Sequence, residues 1–249
     1  MHTSKNSIFL SLFCALLTNF SHAGMNIENY LRAQIKNKKV VDISKHALKD
    51  EAVEILVTIL KNNNTLEALD LSKNYITDNG IKILSEFLKG NNTLEQLSLA
   101  RNKFSKIGAE YLSNALKINK TLRQLDISEN DLDDEGIIKI ALLLDSNNTL
   151  TDLDLTDTNM GDPGIEALAK ALEQNESLTN LDVSDNVFTD KGARALAQAL
   201  INNKTLTILD IQNNNFSISG LIAILKALKT NKTITDLKFH YRAMNLIQK

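Results

Sequence analysis

Apolar residues along the chain follow two alternating spacings. Runs such as Leu66, Leu69, Leu71 and Leu178, Leu181, Val183 end in a period of two, and each gives way to apolar residues three and four apart, as in Ile81, Leu84, Leu88 or Ile165, Leu168, Leu172. The first spacing predicts a half-buried strand and the second an amphipathic helix. The alternation is itself periodic: Leu66, Leu94, Leu122, Leu150, Leu178, Leu206 and Ile234 stand 28 residues apart with no insertion, the mark of a repeat architecture. A worn copy starts at residue 38, with Val41, Ile43, His46 and Leu48 in the equivalent places.

The punctuation agrees with strand-then-helix units. Gly80, Gly108, Gly136, Gly164, Gly192 and Gly220 recur ahead of the helical spacing, with Thr77, Ser105, Asp133, Thr189 and Ser217 placed to cap, and Pro163 at a helix start. One unit cannot bury both of its apolar faces, so the units must stack. The predicted fold is α/β: a right-handed solenoid, or horseshoe, with a parallel sheet of about eight strands on the concave side and helices on the convex. Residues 24–37, with Ile27, Tyr30, Leu31 and Ile35 on one face, read as an N-terminal cap, and 38–249 as eight units, the last truncated and lacking a final helix.

The motif L-x-x-L-x-L-x-x-N-x-L, seen as Leu66, Leu69, Leu71, Asn74 and Ile76, resembles the leucine-rich repeat of the ribonuclease-inhibitor-like type. The resemblance covers residues 38–249, and similar repeats occur in NOD-like receptors, Ran GTPase-activating proteins and bacterial secreted effectors. It implies a fold and a way of binding proteins, without naming a partner.

Asn74, Asn102, Asn130, Asn186 and Asn214 form a column read as a buried amide ladder, from which His46, Thr158 and Arg242 depart. Phe104, Phe188 and Phe216 share a core column with Ile76, Leu132, Met160 and Met244. A second column, Asn63, Asn91, Asn119, Asn147, Asn175, Asn203 and Asn231, is followed two places on by Thr or Ser. In a host with a glycosylating secretory pathway this would mean a glycan on every coil. The structural alternative is an Asn in the left-handed conformation just past each helix.

Composition narrows the class. With 28 Lys and Arg against 30 Asp and Glu, the net charge of −2 offers no general attraction to nucleic acid. One cysteine, Cys14, excludes a disulfide framework or a Cys-based zinc site. Residues 1–23 read as a signal peptide: Lys5, an apolar run from Ile8 to Leu17, then Ser21-His22-Ala23. Ten apolar residues are too few to span a bilayer, which needs about 20, so no stable membrane insertion is expected. The expected location is secreted or periplasmic, or cytoplasmic if Met25 is the true start.

Catalysis and cofactors find no support. After residue 23 the only histidines are His46 and His240, in the first and last strands, with no cysteine nucleophile. The calcium-like start Asp131 to Gly136 lacks its carboxylate at the twelfth place, which is Leu142. No nucleotide-phosphate or zinc-protease motif occurs.

The remaining signal is on the concave face, where residues flanking the inward leucines turn outward. Its first third is mixed, with Lys45, Lys73 and Arg101 beside Asp42 and Asp70. The next three units carry Asp126, Glu129, Asp152, Asp154, Asp157, Asp182 and Asp185 and no basic residue. An Asp between strand leucines belongs to this repeat type, but Glu129, Asp152, Asp157 and Asp185 exceed it, and like charges on neighbouring strands cost stability. The expectation is a non-catalytic, secreted module binding a protein or basic peptide there, in a bacterium an effector or effector inhibitor. The alternative is an intracellular adaptor, or a cell-envelope scaffold assembling, or dimerising, through its C-terminal end.

Overall fold

Each strand residue is paired with the residue 28 positions further on, so Val41 lies opposite Leu69, Leu125 opposite Leu153 and Leu181 opposite Leu209. The computed structural model describes residues 26–239. The leader-like segment 1–23 with Cys14, the residues His240, Tyr241, Arg242 and Met244, and the expected end without a helix lie outside the described residues.

In chain order the elements are α1 (Ile27–Ile35), β1 (Val40–Asp42), α2 (Asp50–Leu60), β2 (Ala68–Asp70), α3 (Asp78–Gly90), β3 (Gln96–Ser98), α4 (Lys106–Leu116), β4 (Gln124–Asp126), α5 (Asp133–Leu144), β5 (Asp152–Asp154), α6 (Asp162–Leu172), β6 (Asn180–Asp182), α7 (Asp190–Asn202), β7 (Ile208–Asp210), α8 (Ile218–Thr230) and β8 (Asp236–Lys238). The strands form one open parallel sheet in sequence order, as the horseshoe reading requires. The core runs as one continuous spine between sheet and helices: Leu97, Leu125, Leu153 and Leu181 from the strands meet Ile81, Ile137 and Ile165 from the helices, all nearly fully buried. Phe104 and Phe188 are fully buried in the predicted column, and the Phe188 ring stacks on Phe216 with centroids 5.6 Å apart. At the N-terminal end α1 lays Leu31 and Ile35 against the first unit, and the Tyr30 hydroxyl bonds His46 Nε2 at 2.6 Å.

Three polar ladders hold the units in register. The first is the expected Asn column. Asn102 Nδ2 donates to Leu99 O and to Leu71 O of the preceding unit, while its Oδ1 accepts the Ile76 N–H. The second was not anticipated. Asp78, at the first position of α3, accepts the N–H groups of Ser105 and Gly108 at 2.7 and 2.8 Å and the Ser105 hydroxyl, so it ties its helix to the start of the next. Asp162 and Asp190 repeat the contact. It also accounts for the recurring glycine, since a Cβ on Gly108 would stand 2.9 Å from Asp78 Oδ1 and 2.8 Å from the Phe104 ring.

The third ladder is the Asn column that follows each helix. Its conformation corrects the expectation: Asn91, Asn203 and Asn231 are extended, with φ between −77 and −62°, and none of the column has positive φ. Apart from Asn37, just past α1, the left-handed residues lie in the turns that follow the strands: Lys45, Lys73, Arg101, Glu129, Asp157, Asp185 and Asn213 at matching exits, with Ala47, Asp133 and Asn159 slightly further on. The extended Asn works as a bracket. Asn147 Oδ1 accepts the N–H groups of Thr149 and Leu150, and Nδ2 reaches back to Leu116 O.

Two ladders fail at one place, the exit turn of the fourth unit. Thr158 stands where an Asn would reach this turn from the fifth unit, and Lys106 where an Asp would reach it from the third. The Leu132 N–H bends back to Asn130 O, and Asp133 takes φ 50°. Substitutes appear: Asp133 caps α5 through the Glu135 N–H, Asn159 Nδ2 donates to Asp131, and Lys106 pairs with Glu135 at 2.7 Å.

Candidate interaction surface

The pleat presents three columns on the concave side, because burial alternates along β2 to β6 around a buried central leucine. Together they line an open groove of about 640 Å³ running from Val40 to Lys238. The seven predicted acids all lie on this face or at its strand-exit rim, spread over three adjacent units, with Asp152 and Asp154 on β5 flanked by β4 and β6.

Their surroundings differ. Asp126, Asp154 and Asp182 each use Oδ1 to accept the N–H two residues on, from Ser128, Thr156 and Ser184. That bond closes the turn by which the chain leaves the strand, and Asp42, Asp70 and Asp210 make it too. These carboxylates are therefore structural in origin, as the repeat pattern suggested. The additional acids were expected to bring charge repulsion with no structural return, and that expectation needs correction. Glu129 is paired with Arg101 on the adjacent unit. Asp152 accepts from Asn180 Nδ2 at 2.6 Å and from the Thr151 hydroxyl. Asp185 accepts from Asn213 Nδ2. Of the seven acids only Asp157, exposed on the rim, has a carboxylate with no bond to the described residues.

Charge is most constrained at Asp154. Burial raises its pKa above the ordinary carboxylate value, the Thr156 hydrogen bonds oppose this, and Asp126 and Asp182 on the neighbouring strands push it further up. A cation approaching the middle of the groove would relieve that stress.

Sequence reasoning missed the local partners. The Ser98 hydroxyl donates to Asp126 Oδ2 from β3, and Lys238 approaches the buried Asp210 from β8 at 3.6 Å. Both could have been found by comparing residues 28 apart. Towards its two ends the groove carries apolar side chains, Val40 at 67% exposed and Ile208 half-buried. Among the described residues no group of three or more His, Cys, Asp or Glu is placed to hold a metal ion, and no helix is long and apolar enough to cross a membrane.

Comparison with known proteins gives a family-level match. The family described as Leucine Rich repeat matches residues 62–85, 90–113, 119–141, 146–169, 174–197 and 202–225. Among solved structures the chain is similar to the tropomodulin C-terminal domain of Caenorhabditis elegans, at 18% identity and a TM-score of 0.49, over 60% of this chain and 90% of that one. No curated protein sequence matches.

Proposed function

The chain belongs to the leucine-rich repeat family, and from that premise we propose that it is a protein-binding module whose concave face takes a basic protein or peptide segment over units four to six. The carrying observation is that Asp126, Glu129, Asp152, Asp154, Asp157, Asp182 and Asp185 share this face with no basic residue from their own three units, with Glu129 alone paired to Arg101 of the preceding unit, Asp157 unpaired at the rim and Asp154 held between like charges. A rigid sheet bonded unit to unit presents these groups with little ordering cost on binding. Few aromatic anchors face the groove, so charge would set encounter and register. The leader-like first 23 residues support an exported protein, and in a bacterium an effector or an effector inhibitor.

The test is a pull-down with the chain lacking residues 1–23, followed by kinetics on the partner found. Changing Asp152, Asp157 and Asp185 to Asn should slow association, and the difference should shrink with salt, because exposed charges act over a screening length of about 8 Å at physiological ionic strength. Removing Lys45 and Lys73 should not slow it. An unchanged association rate for the triple Asn variant in low salt rules out the acidic face.

A further inference from the structure

We infer that the fold sorts the N-glycosylation triplets of the described residues: Asn119, Asn147, Asn175, Asn203 and Asn231 are closed to a glycan, whereas Asn215, Asn63 and Asn91 are where a folded chain can carry one. This does not depend on what the concave face binds.

The five closed residues are 2–4% exposed. In each, Nδ2 donates to a carbonyl 31 residues earlier, at distances from 2.7 Å (Asn231 to Leu200 O) to 2.9 Å (Asn175 to Leu144 O). In Asn119, Asn175, Asn203 and Asn231 the second amide hydrogen is engaged as well, by the main-chain carbonyl of the preceding Asn in the column. Glycan transfer acts on this same nitrogen. It forms a bond from Nδ2 to the anomeric carbon of a lipid-pyrophosphate-linked oligosaccharide, breaks that carbon's bond to the pyrophosphate oxygen, and releases the lipid pyrophosphate and the amide proton. The product has one N–H fewer and a sugar where two units are in contact. Where both hydrogens are engaged one of the two bonds must break, and at all five the sugar would have to stand in a space 2–4% exposed, which the packing of adjacent units does not leave open.

The open residues are less buried, and none makes the 31-residue bond. Asn63 and Asn91 are half-buried and make no side-chain bond to a preceding unit; both keep the Oδ1 bracket to their own following residues, and Asn91 Nδ2 donates only within its own triplet, to the Thr93 hydroxyl at 3.3 Å. Asn215, in a further triplet with Phe216 and Ser217 that is out of step with the repeat, is exposed and holds Val187 O only at 3.4 Å. Because the transferase modifies chains as they enter the lumen, before folding, the five closed sites act as a veto on that route. A leader on this chain is then compatible with an export pathway lacking the transferase.

The test is expression of the full chain behind a yeast secretory leader, with and without tunicamycin, which blocks synthesis of the lipid-linked oligosaccharide. Glycopeptide mass spectrometry is applied separately to the secreted, protease-resistant fraction and to the retained fraction. The expected result is glycan at the five closed sites only in the retained fraction, with severalfold more secreted chain under tunicamycin. A companion variant, Thr121→Ala, Thr149→Ala, Ser177→Ala, Thr205→Ala and Thr233→Ala, keeps every Asn but removes the acceptor signal. It should be secreted without the inhibitor, modified at Asn63, Asn91 or Asn215. Should this variant fail to fold when made in a bacterial cytosol, the fractionation of the wild-type chain decides alone. A secreted, protease-resistant chain with a glycan on any of the five overturns the inference.

Discussion

Asn186 Oδ1 accepts both the backbone N–H of Thr158, at 3.1 Å, and the Thr158 hydroxyl, at 3.2 Å. The same amide donates to Leu155 O in the preceding unit and takes the Met160 N–H. Asn186→Ala therefore strips several buried groups at once, each costing about 1–3 kcal/mol when left unsatisfied. Chemical denaturation should show a loss at the upper end of that range or beyond, and a loss below 1 kcal/mol would mean that the ladder is not structural.

Replacing Leu153 by Ala tests the register of β5. Its side chain is 2% exposed between Leu125 and Leu181, so the cavity should cost about 2–5 kcal/mol in urea unfolding. A shift within error would place the residue on the wrong face.

Two aspartates should show opposite pH signatures. The Ser217 side-chain bond is the main cause holding Asp190 below its ordinary value, so its ionisation favours the fold, and that stability is present above the unfolded pKa of about 3.9 and lost as pH falls through the folded pKa. Asp154 is raised, chiefly by burial, so stability instead declines as pH rises from the unfolded pKa of about 3.9 through its higher folded value. Asp190→Asn should lower Tm at pH 7, with the difference shrinking in acid. Asp154→Asn should raise Tm at pH 7, with the gain vanishing in acid. Equal effects at both sites would contradict the assigned surroundings.

The Ser85 hydroxyl on α3 is buried without a partner among the described residues, whereas Ser113, one unit on, donates to Lys139 O. The next units place Ala141, Ala169 and Ala197 in this column. Ser85→Ala should stabilise the protein by up to about 1 kcal/mol, through relief of the buried hydroxyl and better helix propensity. Thermal unfolding of Ser113→Ala, expected to be destabilised, is the control.

Most of the architecture was legible because a 28-residue period with no insertion leaves little freedom: apolar spacing fixes the strand and helix, and the Asn column marks the exit of each strand. The Asp50, Asp78, Asp134, Asp162 and Asp190 ladder was hidden because each carboxylate serves the next unit's helix start, 27 to 30 residues away, not its own. The charge of the candidate face could be read, but its local neutralisation could not. Whether Glu129 meets Arg101, or Asp185 meets Asn213, depends on how the left-handed strand exits aim side chains across the sheet.

The doubly released turn at Asp131–Asp133 bears on how such a chain can change length. Adding residues at another strand exit would sever the Asn and Asp ties at once and throw later units out of step. Here neither tie is made, so an inserted loop at Asp133 would meet the Thr158 carbonyl bond, the cap to Glu135 and the substitute contacts Asn159–Asp131 and Lys106–Glu135 in place of the two ladders. This is the interior position at which the solenoid can host a foreign segment, an epitope or a small domain, with both flanking blocks of repeats left intact.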